Sequence, residues 1–477
     1  MQIYQQFIDG QLVDSHASDW IDVENPYTNE IIARAPKGDV EDAARAVAAA
    51  KAAQRAWSKE APATRAAYLR QFAQLIRANR IELARTLASE QAKVLPLAQV
   101  EIDFTADYFE YYAGWANIYE GEVINSTDPR ENIWLNWKPV GVVAGICPWN
   151  FPFFVMARKV APALLTGCAI VVKPSSTTPA TTFEFARLVA GLDLPPGVLN
   201  IISGGGATLG DALVKHPDVD MVSLTGSVEA GQEIIRGSAD KVMKTSLELG
   251  GKAPAIVFPD ADLDIAVKGV TDSRLIFSGQ VCNCCERAYV HRSIFDEFVS
   301  RLKASFEAAA YGDPFADPAP AYSSQVDRAQ LDKIQAMVER ARAAGAEVLT
   351  GGQPADVGTG YFYEPTIVLG AAQDSEIVQK EVFGPVLPIL PWDDYDEVMA
   401  QANDCEYGLT SSIFSTNVNT VMQGIKDLNF GETYVNREHF EGLQGFHAGW
   451  RKSGIGGADG KHGLYEYLQS QIVYLRY

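Results

Sequence analysis

The sequence predicts an α/β protein with two sheet-forming units and a small β element, and three observations predict it. Between about residues 140 and 250, short apolar runs recur roughly every 20 to 30 residues, with helical stretches between them. Strand, helix, strand at that spacing implies right-handed crossovers and a parallel sheet of the Rossmann type. A second alternation of the same kind begins near Ala253 with APAIVF. The chain then ends in QSQIVYLRY, a β-branched and aromatic run that reads as an exposed edge strand, and an unpaired edge invites another sheet.

In chain order, the alanine-rich segment from Val40 to about Trp57 carries apolar residues at helical spacing, with Asp39 as its cap. A longer helical stretch follows from about Pro62 to Val94, and another from Pro96 to about Tyr119, rich in aromatic residues. At ENIWLNWKPVGVVAGICPW the texture changes to strand. AIVVKP (169–174) is a buried strand ending at a proline, and VLNIISG (198–204) and MVSLTGS (221–227) continue the series. TTFEFARLVAGL and ATLGDALVKH supply the helices between them. In the second unit the pattern predicts helices at about 261–277, 293–310 and 325–345, and a late strand at TYVNRE (433–438).

With 47% hydrophobic and 21% charged residues, the 477-residue chain has the make-up of a globular protein with more than one core. A formal net charge of −20 repels phosphate backbones and sets nucleic acid aside as a partner. A small anionic ligand is still compatible with it, at a local helix N-terminus or lysine. No run of about 18 apolar residues predicts a membrane span. The opening MQIYQQFIDGQLVDS lacks the basic start and apolar run of a secretory signal. Six unevenly spaced cysteines are no disulfide framework, so a reducing cytoplasm is the expected location.

Half of those cysteines crowd into SGQVCNCCER, as Cys282, Cys284 and Cys285. A metal clip, a disulfide knot and a reactive nucleophile are the competing readings. Structural zinc sites use four ligands at paired spacings, and the cysteines and six histidines here show none, so no metal is expected. A lone cysteine is most often a small buried hydrophobe. Gly279 and Gln280, between a helix end and Cys282, instead open the backbone to close approach and favour a nucleophile.

Glu248 in KTSLELGGKAP lies between two leucines at a strand end. Burial there raises a carboxyl pKa and suits a general base, whereas a solvent-facing glutamate has no such role. Asn150, in CPWNFPFFVMARK, is placed either to cap the following helix or to donate its amide to a developing oxyanion. Lys173 ends a buried strand, where parallel sheets put ligand contacts, unless it is an ordinary surface lysine. SGGGATLG (203–210) precedes a helix, and Gly204, Gly206 and Gly210 would let a phosphate near its N-terminus, although G-x-G-x-x-G is not matched.

The order of these motifs is more specific than any one of them. PWNFP, KPSSTTP, SLTGS, LELGGKAP, SGQVC, KEVFGPV and RKSGIGG, in that sequence, resemble the NAD(P)-dependent aldehyde dehydrogenase superfamily over essentially the whole chain. The stretch NREHFEGLQGFHAGWRKSGIGG is most similar to its bacterial lactaldehyde/glycolaldehyde dehydrogenase branch; most relatives have a PFGG-type segment where this chain reads GFHAGW. The resemblance implies a cofactor-binding domain from 1–120 and 140–250, a catalytic domain from 251–450, and an oligomerisation element from 121–139 and 451–477 of a homodimer or homotetramer.

It also implies roles. Cys282 matches the nucleophile, Glu248 the general base, and Asn150 the oxyanion donor together with the Cys282 backbone N–H. Lys173 matches the lysine at the adenosine ribose, Ser227 a residue near the pyrophosphate, and Glu381 and Phe383 the nicotinamide-ribose contacts. Ile146, Pro148, Trp149, Ser175 and Ser176 fall along the same cofactor site, as do Gly206, Gly210, Thr225, Gly226 and Leu249. For the substrate, Arg158 lies eight residues, a little over two helical turns, after Asn150. With Phe151, Phe154, Asn283, Glu441 and His447 it is implied to hold a small polar aldehyde.

The implied reaction oxidises a short hydroxyaldehyde such as lactaldehyde or glycolaldehyde to its acid with NAD or NADP. It passes through a Cys282 thiohemiacetal and a thioester that water, activated by Glu248, hydrolyses. A semialdehyde or an aromatic aldehyde is the alternative substrate. CoA-acylating relatives typically lack the hydrolytic glutamate, and a non-catalytic homologue has no need of Cys282, Glu248 and Asn150 together. One position departs from the NAD-preferring members, which carry a glutamate three residues after the lysine; Ser176 stands there, so use of NADP is expected. A reversible disulfide between oxidised Cys282 and Cys284 or Cys285 is a further expectation.

Overall fold

The computed structural model describes residues 1–477. Its first parallel sheet consists of β1 (Val142–Ile146), β2 (Ala169–Lys173), β3 (Leu199–Ile201), β4 (Met221–Thr225) and β5 (Lys244–Glu248). Their spatial order is β5-β4-β1-β2-β3, so the direction of winding reverses between β1 and β4. In doubly wound sheets, ligands bind outside the carboxyl ends of the strands at such a reversal. Gly454–Ile455 adds an antiparallel strand beside β5, and Gln6–Ile8 with Gln11–Val13 extends the other edge. Helix α1 (Pro152–Thr166) makes the crossover from β1 to β2.

Both faces of this sheet are covered, as a parallel sheet requires. Val143, Ile170 and Val172 point into a core shared with the helices between Trp57 and Ala116. Their neighbours Val142, Ala144, Ala169 and Val171 alternate to the other face, against Ala43, Ala46 and Ala50. The N-terminal helices keep their expected type with sharper limits. Asp39 caps Val40–Trp57 through a capping box with Asp42. The expected single helix from 62 to 94 breaks at Asn79 into Pro62–Ala78 and Arg80–Gln91.

The second sheet contains β6 (Ala253–Val257), β7 (Cys285–His291), β8 (Thr366–Leu369), β9 (Val386–Trp392), β10 (Thr410–Phe414) and β11 (Glu432–Val435). They are parallel in the order β8-β9-β7-β6-β10-β11, with Glu347–Thr350 antiparallel on the outer edge. Helix α2 (Leu263–Leu275) links β6 to the cysteine segment.

A separate three-stranded antiparallel sheet joins Leu468–Arg476 to Glu131–Pro139, and Glu131–Pro139 to Glu122–Asn125. Val123 (80% exposed) and Tyr474 (66%) stand free on it. The expectation for 451–477 is corrected in part, because Gly454–Ile455 belongs to the first sheet; its residues pair with Glu248 and Leu247, not with the outlying strands. The short strands before residue 40 went unforeseen because they are two to seven residues long, too short for a period to show.

Candidate active site

Two adjoining spaces meet at one point. A cleft of about 490 Å³ runs across the carboxyl ends of β1, β2, β4 and β5. A more enclosed cavity of about 230 Å³ lies on the other side, between the first unit and the cysteine segment. Only Asn150, Thr225 and Cys282 border both.

Backbone geometry brings Cys282 there. After α2 the chain makes a tight turn in which Phe277, Ser278 and Gly279 all have positive φ. At Gly279 (φ +74°) a Cβ would stand 2.3 Å from the Gly384 carbonyl oxygen, so no side chain fits. Gly251 plays the same part on the other side, where a Cβ would meet the Cys282 carbonyl at 2.7 Å. Strain of this kind persists where the surroundings over-determine it, and here it presents one thiol.

The three crowded cysteines part company at this point. Cys282 is half-buried between the two spaces. The Cys284 thiol donates to the Val281 carbonyl at 2.8 Å and receives the Arg274 guanidinium at 3.1 Å. Cys285 turns into the apolar core of the second sheet. They form no ligand set for a metal. Burial pushes both the Cys284 and Cys285 thiols up to about 12. A thiol held protonated is a poor attacker, and this weighs against the expected disulfide trap.

Asn150 is buried, and its Nδ2 donates to the Gln280 carbonyl at 3.0 Å, leaving one amide hydrogen over for the space beside Cys282. Its own carbonyl accepts from Gln91 Nε2 (2.9 Å) and Lys93 Nζ (2.8 Å). Lys93 in turn pairs with Glu101, both fully buried, and Glu101 Oε1 accepts the Phe153 and Phe154 N–H groups at the start of α1. The start of α1 is therefore capped by Glu101, and the sequence-based alternative of Asn150 as its cap is set aside. Lys93 and Glu101 were missed, although a lone lysine inside the apolar run AKVLPLA is a readable signal of a buried, paired charge.

Glu248 ends β5, buried. Its Oε2 accepts from Thr225 Oγ1 at 3.2 Å and lies 3.8 Å from Arg158 Nη1, while Oε1 has no partner. Thr225 also accepts from buried Lys159, which reaches Ser223 as well, both at 3.1 Å. An unsatisfied buried carboxylate oxygen at the edge of a cavity is disposed to take a hydrogen bond from water.

Most of the residues assigned to the cofactor line the cleft: Ile146, Pro148, Trp149, Lys173, Ser175, Ser176, Thr225, Gly226, Ser227, Leu249, Glu381 and Phe383. Gly206 and Gly210 do not. They belong to a π-type turn, Gly206–Gly210, in which a Cβ on Gly210 would lie 3.8 Å from the stem of Lys173. The cleft suits a nicotinamide nucleotide on its donor set. Lys173 is a buried ammonium with no carboxylate partner, only the Pro174 carbonyl at 3.3 Å, and burial holds it down at about 8. Ser227 caps Val228–Ser238, whose N-terminus opens onto the cleft as an anion site.

On the opposite wall, burial with the nearby Glu286 charge pushes Glu381 up to about 7. Glu286, with Lys252 and Arg274, forms a fully buried cluster behind this wall. It accepts the Val382 and Phe383 N–H groups at 3.1 Å each and so fixes the Glu381–Phe383 turn. Gln330 completes the hold by donating to the Phe383 carbonyl at 2.7 Å.

The smaller cavity is lined by Phe104, Phe151 and Phe154 together with the exposed Val100 and Phe440. Arg158, Asn283 and Glu441 are among its polar residues. Arg158 donates Nη2 to Glu441 (2.8 Å) and Asp459 and Nε to Asp459, and Asn283 Nδ2 donates to Glu441 (2.7 Å). Arg158 Nη1 is the guanidinium nitrogen left facing Glu248. His447 is not on the cavity wall; it is buried, with Nδ1 2.6 Å from Glu432 Oε1.

A doubly wound sheet that opens onto a cleft whose far wall carries a thiol belongs to the oxidoreductases that pair a nicotinamide nucleotide with a cysteine. The chain is a member of the aldehyde dehydrogenase family, whose model matches residues 12–473. It is 50% identical to the lactaldehyde dehydrogenase of Escherichia coli (strain K12) over 99% of this chain and 98% of that protein. The crystal structure of lactaldehyde dehydrogenase from Escherichia coli superposes with a TM-score of 0.98, covering both chains fully. The 3,6-anhydro-alpha-L-galactose dehydrogenase of Vibrio sp. (strain EJY3) is 43% identical over the full length of both chains. A structure of a 3,6-anhydro-L-galactose dehydrogenase in complex with NAP is 42% identical and matches with a TM-score of 0.97 over 99% of this chain and all of that one. This protein is thus an NAD(P)-dependent oxidoreductase acting on an aldehyde. No helix is long and apolar enough to cross a membrane.

Proposed function

We propose that the protein oxidises a short hydroxyaldehyde, of the lactaldehyde or glycolaldehyde kind, to its carboxylic acid. The observation that carries this reading is the shared border of the two spaces, where Cys282 and Asn150 stand between the cleft and an enclosed cavity with polar residues in its lining. The Cys282 sulfur attacks the aldehyde carbon. Asn150 Nδ2, anchored by one hydrogen to Gln280, gives its other to the oxyanion, a contribution of about 2.7–4 kcal/mol for one such donor. A nicotinamide nucleotide bound in the cleft supplies the hydride acceptor. Glu248, whose Oε1 has no protein partner, takes the proton of the water that hydrolyses the thioester.

The aromatic walls limit the chain length of the substrate, and Arg158, Asn283 and Glu441 favour a hydroxyl beside the carbonyl. The 50% identity to a lactaldehyde dehydrogenase supports the same class. Lys173 without an acidic neighbour, and Ser176 in place of one, support use of NADP. The relatives include a D-glyceraldehyde dehydrogenase (NADP(+)), 38% identical. Assembly into dimers or tetramers through the outlying three-stranded sheet accounts for its exposed apolar residues.

An aldehyde panel assayed with both nucleotides tests the substrate. Glycolaldehyde and lactaldehyde are expected to exceed hexanal and benzaldehyde in kcat/KM. The reverse order would overturn the hydroxyaldehyde assignment.

A further inference from the structure

We propose that Asp459, by occupying the Arg158 guanidinium, makes the cavity beside Cys282 reject anions, so that the enzyme takes aldehydes bearing hydroxyls and refuses those bearing a carboxylate. This deepens the hydroxyaldehyde reading and rests on it for the site. Of the charged residues that line the cavity, Arg158 alone is a cation; Glu101, Asp272, Glu438 and Glu441 are carboxylates. His439 lines it too, but burial holds its ring down at about 4, and it is neutral. A free guanidinium in such a pocket would be a receptor for a substrate carboxylate. Here the protein's own carboxylates surround it. Arg158 Nε donates to Asp459 Oδ1 at 3.1 Å, and Nη2 donates to Asp459 Oδ2 and, at 2.8 Å, to Glu441 Oε1. Nη1 lies 3.8 Å from Glu248 Oε2.

Asp459 is placed for this task and no other. It is 1% exposed, and both its carboxylate oxygens go to Arg158. It precedes the short helix Gly460–Glu466, yet its side chain makes no capping bond there. Its backbone stands at φ +68°, ψ 164°, a region that is essentially glycine's. Such strain persists where the surroundings enforce it. Ala458 is pinned to His447 by paired hydrogen bonds of 2.9 Å, and the Asp459 carbonyl accepts the Gly463 N–H at 2.9 Å. Other cations in the neighbourhood do not line the cavity. Lys93 is matched by Glu101 and His447 by Glu432, while Lys159 donates to the Thr225 and Ser223 hydroxyls. Lys268 and Arg437 pair with Asp272 and Glu438.

The hydrogen bonds left over select by the same rule. Asn283 Nδ2 is taken by the His439 carbonyl at 3.1 Å and by Glu441 Oε2 at 2.7 Å, so the N–H groups on Arg158 Nη1 are the donors that remain at this network. A hydroxyl both gives and accepts, and fits between Nη1 and a carboxylate oxygen. A substrate carboxylate only accepts, and it would bring a further negative charge among Asp459, Glu441 and Glu248. The acid that the reaction forms is itself an anion, so the same repulsion weakens its hold on the cavity. Burial pushes the Asp459 carboxyl up to about 6 against the pull of Arg158, and it carries its charge at mildly alkaline pH.

Aldehydes of equal length that differ only at the far end read this at mildly alkaline pH: 4-hydroxybutanal against succinate semialdehyde. In the unaltered protein kcat/KM for the hydroxyl partner should be greater by on the order of 100-fold. Asp459→Asn keeps the shape and removes the charge, which leaves Arg158 to meet an anion. Its kcat/KM for succinate semialdehyde should rise in absolute terms, and the ratio should fall by about tenfold. Damage to packing lowers both activities and raises neither. Glycolate, added as product inhibitor, should bind Asp459→Asn more tightly than the unaltered protein. An unaltered protein that oxidises both partners equally well overturns the proposal, as does a folded Asp459→Asn in which neither the ratio nor glycolate inhibition moves. If Asp459→Asn does not fold, Glu441→Gln, which removes the second carboxylate on Arg158, decides by the same ratio. Hexanal separates the two levels. Preference for hexanal over glycolaldehyde refutes the hydroxyaldehyde reading, whereas preference for glycolaldehyde beside ready oxidation of succinate semialdehyde refutes the anion rejection alone.

Discussion

The two sheet-forming units meet the site with opposite ends of their strands. The first offers carboxyl ends: Ile146, Lys173, Thr225 and Glu248 are the last residues of β1, β2, β4 and β5. The second offers residues that come just before its strands, Cys282 ahead of β7 and Glu381 and Phe383 ahead of β9. The difference decides how each side chain is held. In the first unit the ladder does it, since Ile146 pairs in register with Lys173, and Thr225 with Glu248. Residues ahead of a strand have no such rung. There the buried cluster of Glu286, Lys252 and Arg274 does the holding, by fixing the Val382 and Phe383 amides and the Gly279 carbonyl.

The comparison is tested most severely at Cys282. Cys282→Ala should abolish aldehyde oxidation, by on the order of 10⁴-fold or more, as loss of a nucleophile does in other enzymes. Nucleotide binding should survive, because the first unit supplies the other wall. Trp149 lines the cleft, its ring centroid 5.4 Å from that of Phe383, and its fluorescence can report the binding. Loss of binding together with activity would show that the two walls are not separable.

Next in size is Glu286→Gln. Removing one partner of a buried pair strands the others and costs about 3–5 kcal/mol, here with Lys252 and Arg274 both left buried. A fall in the urea midpoint measures it. The pH dependence carries the same signature. Burial alone would raise the Glu286 carboxyl, but Arg274 and Lys252 outweigh it and hold it at about 2, below the ordinary 4.5. Between those values the unfolded chain binds the extra proton, so the stabilisation is complete above about 4.5 and fades as the pH falls toward 2. Glu286→Gln should flatten that acid limb. An unchanged limb would leave the second wall without its explanation.

The same contrast separates what the sequence reveals from what it conceals. Ladder-held positions are legible, because an apolar run announces the strand and its last residue faces the crevice: Lys173 and Glu248 are read this way. Cys282 is legible through the Gly279 turn before it and through the order of the family motifs. Of the charges that do the bracing only Lys93 leaves a trace, as a lone lysine in an apolar run; Glu286, Lys252, Arg274 and Glu101 look like surface residues until the fold brings their partners from 8 to 34 residues away, and burial depends on those partners. Gly206 and Gly210 fit a phosphate loop by pattern, but they lie in a π-type turn and are not among the residues that line the cleft.

A smaller effect tests the first unit. Asn150→Ala removes a side chain, not a rung, so β1 should keep its place while kcat falls by roughly 10²–10³-fold. Nucleotide-induced Trp149 quenching should persist at an unchanged midpoint. A change confined to KM would make Asn150 a ground-state contact and remove its role at the oxyanion.

The smallest change lies at the far end of the same ladder. Ser176 sits three residues beyond the end of β2, half-buried, with Oγ donating to the Gly204 carbonyl at 3.1 Å. Its neighbour Lys173 carries a positive charge with no carboxylate partner, as does Lys333 elsewhere on the cleft wall. Ser176→Glu adds a carboxylate to the same stretch of the cleft wall as Lys173. It would accept from a 2′-hydroxyl and repel a 2′-phosphate. Because the site is half-exposed, the repulsion is screened below the several kcal/mol that buried like charges show, and a shift of about tenfold in the ratio of kcat/KM for NADP to NAD is expected. The shift should shrink as salt is raised. Cys282 alkylation should not respond at all, since the wall that holds the thiol is built separately. A Ser176→Glu variant that left the nucleotide ratio unchanged would remove Lys173 and Ser176 as its determinants, and one that altered Cys282 reactivity would break the division between the two walls.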